Sequence, residues 1–236
     1  MSESRVVGVI GGMGPEATLE FQRRLLAATP ARDDSDHLHV VTDSNPKIPS
    51  RIAALIEGAG EDPAPVLCDM ARRLEGHGAD FLVMPCNTAH YYLPAIARSV
   101  RIPLLDMVAL SIERLGASDG KPAWVGVLAS PAVRLVGLFE ARLAAAGFAA
   151  TWPEPEDEAA LLGIIRAVKA GRLDPGHRRR YDEIASRMIE AGAGAFLIAC
   201  TELSILGAPA GAGGLPVIDT LDVLVDATIR AARVPA

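Results

Sequence analysis

Short runs of consecutive apolar residues alternate along this chain with longer stretches whose apolar positions recur every three or four residues. The short runs read as strands at Arg5–Ile10, His39–Thr42, Phe81–Met84, Leu104–Asp106, Ala123–Leu128, Ala149–Trp152, Phe196–Ala199 and Val217–Asp219. Between them, Ala17–Ala28, Val66–Glu75, Val136–Ala146 and Tyr181–Ala191 carry the helical period. Strands that are apolar on both faces need cover on both, and helical crossovers supply it. The pattern predicts an α/β fold built on parallel sheets.

The pattern is also written twice. VGVIGGMGPEATLEFQRRL from Val7 matches VGVLASPAVRLVGLFEARL from Val125, which sets Gly8 on Gly126, Phe21 on Phe139 and Arg24 on Arg142. ADFLVMPCNTAH matches GAFLIACTELSI with a shift of one residue that sets Cys86 on Cys200; IPLLDMV matches LPVIDTL and sets Asp106 on Asp219. Three matches in one order at nearly constant offset predict a duplication: two similar lobes related by a pseudo-twofold axis. In open parallel sheets a ligand binds beyond the carboxyl ends of the strands. Both cysteines directly follow such ends, so the expected site is a cleft between the lobes.

Composition narrows the chemistry. The 236 residues are 50% apolar, enough for a substantial core, and the formal charge is −6 with no long basic run. Nucleic acid is not an expected partner. No stretch approaches the roughly 20 apolar residues of a membrane span, and no leader-like segment opens the chain. Three cysteines imply no disulfide framework, which fits a cytoplasmic protein with reduced thiols. His37 and His39 have alternate-strand spacing, but no Cys or carboxylate set completes a metal site around them.

Cys86 stands in Met-Pro-Cys-Asn-Thr-Ala-His and Cys200 in Ala-Cys-Thr-Glu-Leu. Each follows an apolar strand and opens a helix, where unpaired N–H groups and the helix dipole favour a thiolate. A buried core thiol is the ordinary fate of a single free cysteine. Two at equivalent repeat positions, both at strand-to-helix turns and both followed by small polar residues, point instead to chemistry. Cys68 has neither context and reads as packing. Two thiols on opposite sides of a ligand suit racemisation: a thiolate removes the Cα proton from one face and a thiol returns one to the other. Fixed N–H groups and hydroxyls would stabilise the carbanion. His90, at i+4 from Cys86, either hydrogen-bonds beside the site or packs. Glu202 either orients the Cys200 thiol or serves the helix dipole. Arg178–Arg180 reads as a solvated helix face.

GGMGPEAT at residues 11–18, Asp43-Ser-Asn-Pro-Lys-Ile-Pro-Ser-Arg51, MPCNTAH at residues 84–90 and Cys200-Thr-Glu202 together resemble the aspartate/glutamate racemase family along nearly the whole chain. The resemblance implies two Rossmann-like lobes with about four parallel strands each, independence from pyridoxal phosphate, and commonly a homodimer; the residues themselves demand no metal or other cofactor. It implies that residues 1–100 and 215–236 form the first lobe and residues 101–214 the second. Carried over by position, Cys86 and Cys200 are the catalytic pair acting on an amino acid, aspartate or glutamate. Asn87, Thr88 and Thr201 hold its α-carboxylate, and Arg51 and Lys169 receive an acidic side chain. Met13 and Ser130 complete the substrate contacts.

Two segments depart from the family. Ser50 precedes Arg51 where Asp is usual, and Ala132-Val133 replaces Gly-Thr after Ser130. A threonine hydroxyl is thereby lost, which widens the range of amino acids expected as substrate. Related activities remain open on the same scaffold: decarboxylation or cis–trans isomerisation of small dicarboxylic acids, or amino-acid binding without catalysis. Gly8-Val-Ile-Gly11-Gly12-Met-Gly14-Pro15 also resembles a dinucleotide-binding turn. However, Asp43 lies farther beyond Gly11 than the usual ~20 residues, and the turn reads better as N–H groups presented to a carboxylate.

Overall fold

A computed structural model of the chain describes residues 4–51, 53–118 and 122–233. In chain order the strands are β1 (Val7–Gly11), β2 (Val40–Ser44), β3 (Phe81–Val83), β4 (Trp124–Leu128), β5 (Ala149–Thr151), β6 (Ala195–Ile198) and β7 (Val217–Asp219). The helices are α1 (Pro15–Ala28), α2 (Ala64–Gly76), α3 (Leu93–Ser99), α4 (Met107–Gly116), α5 (Pro131–Leu135), α6 (Glu140–Ala145), α7 (Pro155–Lys169), α8 (Pro175–Glu190), α9 (Thr201–Ser204) and α10 (Thr220–Arg233). All strand pairs are parallel, as the α/β reading requires.

The chain forms two compact units: the described residues up to Met107 together with those from Leu221 onward, and Val108–Thr220. The first unit has the sheet order β2-β1-β3, extended by a parallel bridge from Leu82 to Leu104; the second has β5-β4-β6-β7. Each order places the first strand of its half in the middle, as a duplicated unit must. The fourth strand expected in the first unit is reduced to that single bridge. Unit boundaries also lie later than expected at both crossings. Leu104 is held in the first unit by Leu82, and Val217–Asp219 hydrogen-bonds to β6, so the chain leaves the second unit only after Thr220.

Both faces of each sheet are covered. In the first unit, Val7, Val9, Phe81 and Val83 pack with Phe21 and Leu25 of α1 and Leu221 and Leu224 of α10. Ile10, Leu82 and Met84 pack on the opposite face with Leu67, Met70 and Leu74 of α2. In the second unit, Val125, Val127, Ala195 and Leu197 meet Val108, Ile112 and Phe139. Leu128, Phe196 and Ile198 meet Leu161, Ile164, Tyr181 and Ile184. Side chains alternating across a strand explain why neighbours in these runs enter different clusters. Cys68 is half-buried and packs against the α2 side of the first unit.

One predicted helix starts late. Of Val136–Ala146 only α6 is helical: Val136 is the C-cap of α5 and residues 136–139 form a turn, because Gly137 takes the left-handed conformation with φ of 62°. The Gly137 N–H donates to Arg134 O at 3.0 Å and the Leu138 N–H to Val133 O at 3.2 Å. Those two bonds form a Schellman cap, which glycine permits and which ends the helix. No described helix is long and apolar enough to cross a membrane.

Candidate active site

Each unit carries one half of the expected site at the carboxyl end of its sheet. In the first, β3 ends at Val83 and Met84-Pro85 leads to Cys86, whose N–H donates to Met84 O at 2.8 Å. The segment Thr88–Tyr92 then turns as a 3-10 helix with Asn87 at its start. Cys86 and Asn87 are buried and Thr88 is half-buried. His90 is buried beneath this turn. Its Nε2 accepts from the Met107 N–H at 3.1 Å, which places the ring proton on Nδ1; that N–H donates to Cys86 O at 2.9 Å. His90 therefore braces the cysteine backbone.

In the second unit, β6 ends at Ile198, and Cys200 is the N-cap of α9. Thr201, Glu202 and Ser204 are all buried beside it. The Cys200 Sγ–H donates to Glu202 Oε2 at 3.1 Å. Lys169, the last residue of α7, places Nζ 3.1 Å from Glu202 Oε1, an ion pair without hydrogen-bond geometry. Burial pushes the Cys200 thiol well above its ordinary range; the Glu202 charge and hydrogen bond push the same way, and Lys169 opposes them. A thiolate favoured by the helix start was expected here. A helix of one turn offers too little dipole to outweigh complete burial beside a carboxylate.

Several other readings change. Lys169 has a counter-charge of its own in Glu202, so it does not present a bare cation. Arg51 is half-buried and donates from Nη1 to Pro49 O at 3.0 Å. The Ser50 hydroxyl accepts from the Ala53 N–H at 3.2 Å, a capping bond that aspartate would also make. Ser130 is the buried N-cap residue of α5, whereas Val133 is fully buried among Val127, Phe139 and Leu143. The departure at Val133 is thus absorbed by the core.

One N–H of the glycine turn is already engaged. Gly12 N–H donates to Thr18 Oγ1 at 2.8 Å, and that hydroxyl donates to Gly14 O at 3.1 Å. Gly12 has φ of 90°, and a Cβ there would lie 2.4 Å from the Asn45 backbone. Neither a carboxylate nor a pyrophosphate can reach that N–H. Met13 is buried in the α2-side core. Asp43, considered for a ribose, pairs with Arg73 at 2.6 Å.

Arg178 is half-exposed, and its guanidinium is nonetheless engaged. Its Nε bonds Asp182, and its Nη1 and Nη2 donate to Leu206 O at 2.6 Å and Ala208 O at 2.9 Å. It thereby holds the chain that leaves α9. Arg180 meets Asp157 at 3.0 Å. Among described residues no group of three or more His, Cys, Asp or Glu is arranged for a metal.

Near Cys200, Ser204 and Tyr181 were not singled out from sequence, and Asp219 was read only as the repeat partner of Asp106. Ser204 Oγ–H donates to Asp219 Oδ1 at 2.7 Å. Tyr181 is fully buried with no hydrogen-bond partner for its hydroxyl among described residues, and burial raises its phenol far above the ordinary value. The available signal was the repeat, which sets Asp219 on Asp106.

Residues 10–228 match the family model described as Asp/Glu/Hydantoin racemase. A broad-specificity amino-acid racemase of Bacillus subtilis is 30% identical over 114 residues, covering 47% of this chain and 49% of that protein. The chain thus spans about half the length of this curated relative. Among solved structures, an aspartate racemase of Picrophilus torridus superposes with a TM-score of 0.85 at 30% identity, covering 97% of this chain and 94% of that one. An aspartate racemase homologue from Pyrococcus horikoshii shares the fold, with a TM-score of 0.73 at 20% identity over 98% and 99% of the two chains. With a match that runs through both cysteine turns, the chain belongs to the Asp/Glu/Hydantoin racemase family.

Proposed function

We propose that the chain racemises an amino acid of the aspartate/glutamate class by a two-base mechanism, with Cys86 and Cys200 acting on opposite faces of one Cα. The observation that carries this reading is the repetition of one arrangement. A buried free thiol follows the strand adjacent to the central strand in each unit, at positions the internal repeat aligns. Cys200, a thiol hydrogen-bonded to Glu202, serves as proton donor in the resting enzyme. Cys86 serves as the base. The Cα proton passes to the Cys86 sulfur, the Cys200 proton passes to the opposite face of Cα, and the two sulfurs exchange states. The reverse enantiomer starts from the exchanged form.

Asn87, Thr88, Thr201 and Ser130 are assigned to the substrate α-carboxylate, where small polar groups and backbone N–H donors stabilise the developing enolate. Met13 is assigned a further substrate contact. Arg51 is assigned to an acidic side chain because guanidinium matches a carboxylate bidentately. Lys169 shares that task with its pairing to Glu202.

The test is α-proton exchange in D₂O over both enantiomers of aspartate, glutamate, asparagine, alanine and homoserine, followed by NMR. Wild-type protein is expected to exchange and invert at least one of them without added cofactor. Cys86→Ala and Cys200→Ala should each abolish inversion while retaining exchange from one enantiomer. A single-cysteine variant that racemises at the wild-type rate would overturn the two-base mechanism.

A further inference from the structure

Residues four positions after the two cysteines do corresponding work. We infer that His90 and Ser204 are paired positioning residues, each latching its cysteine turn to the chain at the end of the next strand segment; this rests on the two-thiol reading above.

His90 and Ser204 are aligned by the internal repeat, both follow their cysteine by one helical turn, and both are buried at 2% and 1% exposure. His90 grips Cys86 O through Nδ1–H and the Met107 N–H through Nε2, joining the thiol turn to the residue after Asp106. Ser204 belongs to the single turn capped by Cys200, where its N–H donates to Cys200 O at 3.1 Å. Its hydroxyl proton goes to Asp219 Oδ1 at 2.7 Å, and the 3.5 Å approach of the same oxygen to Cys200 O is then a contact only. Asp106 and Asp219 are repeat equivalents. An imidazole binding a backbone N–H and a hydroxyl binding a carboxylate thus make the same connection by different chemistry.

The connection matters because both turns are short. Neither the 3-10 turn after Cys86 nor the one-turn α9 has enough internal hydrogen bonds to fix a thiol against a Cα. Proton transfer is sensitive to small displacements of the sulfur. A latch also explains why polar residues are buried at these positions: each is fully engaged in fastening backbone to backbone or to a strand end.

Each latch serves one thiol, so its loss should slow proton transfer on one face of the substrate. Ser204→Ala is expected to lower kcat in both directions about tenfold, because each direction uses both thiols, with KM changed by less than about twofold. Exchange without inversion should fall for one enantiomer only, and for the opposite enantiomer in His90→Phe. Ser204→Thr, which keeps the hydroxyl, should restore the rate.

Site-resolved alkylation by iodoacetamide provides a readout that does not depend on turnover. Cys200 should react faster in Ser204→Ala with Cys86 unchanged, and the reverse should hold in His90→Phe. Equal loss of exchange for both enantiomers, no rescue by threonine, or alkylation altered at the wrong cysteine would overturn the latch. If wild type exchanges no amino acid but alkylation changes as stated, the racemase reading fails and the latch stands.

Discussion

The Cys200 sulfur lies 3.1 Å from Glu202 Oε2, and the other oxygen of that carboxylate lies 3.1 Å from the Lys169 ammonium. Sulfur, carboxylate and ammonium therefore form one charge-coupled row within the second unit. The carboxylate stabilises the thiol and repels the thiolate, while the ammonium acts at longer range in the opposite sense.

Opposite shifts follow for two variants. Alkylation of Cys200, followed by mass spectrometry across pH, should begin only above the ordinary thiol range in the wild type. Glu202→Gln removes the repelling charge and should move the profile to lower pH. Lys169→Met removes the charge that favours thiolate and should move it higher. General loosening of the fold would move both variants the same way, so shifts of equal sign would refute the coupling.

Specificity is expected to rest more on Arg51 than on Lys169. Lys169 is already paired with Glu202, so an incoming side-chain carboxylate has to share it. Arg51→Ala should lower kcat/KM for aspartate and glutamate about 10- to 100-fold, as expected for a lost hydrogen bond to a charged group worth ~1.5–3 kcal/mol. Neutral substrates should be affected much less. Arg51→Lys should recover only part, since the planar fork is lost. Steady-state kinetics on both enantiomers decides this, and a neutral substrate as sensitive as aspartate would remove Arg51 from the side-chain site.

The fold was legible because apolar runs and helical periods are local, and because the repeat gave each element a second instance. Both cysteine turns were legible for the same reason. Less visible were relationships that depend on distance across the fold. The Ser204–Asp219 bond joins α9 to β7, and nothing in either segment names the other. Val133 looked like a lost ligand donor because motif comparison cannot tell a site-facing residue from a core-facing one; burial shows the latter. The Gly12 N–H looked open to an anion because the Thr18 hydroxyl that occupies it comes from one turn into α1. Lys169 looked unpaired because Glu202 lies in a different helix.

Asp157 should anchor α7, and with it Lys169, to α8. It is buried and accepts from Arg187 Nε and Nη2, each at 2.7 Å, and from Arg180 at 3.0 Å. The Arg187 hydrogen bonds hold its carboxyl below the usual range, with further help from both cationic charges against the cost of burial. Because the folded value is depressed, the stabilisation is present above the unfolded value near ~3.9 and is lost as pH falls through the folded one. Asp157→Asn should cost about 1–3 kcal/mol at neutral pH. The gap between variant and wild type in urea unfolding should close on acidification. A gap independent of pH would mean that the carboxylate charge contributes nothing.

Gly8 and Gly126, matched by the repeat, each occupy the central strand of their sheet where packing leaves no room for a methyl group. A Cβ at Gly8 would lie 2.7 Å from Leu82 Cδ2 and 2.8 Å from Ala79 Cβ. At Gly126 it would lie 2.6 Å from Phe196 Cε1 and 3.1 Å from Met188 Cε. Alanine at either position is expected to destabilise by about 1–3 kcal/mol through overpacking. The obstacles differ, however. Ala79 Cβ is fixed to backbone and cannot withdraw, whereas the Phe196 ring is a replaceable side chain. Phe196→Leu should therefore offset part of the cost of Gly126→Ala, giving a favourable coupling in a double-mutant cycle. Leu82→Val should relieve Gly8→Ala far less, because the Ala79 contact remains. Chemical denaturation of the four single and two double variants measures both couplings. Equal relief in the two units would mean that the Leu82 contact, and not Ala79, excludes a side chain at Gly8.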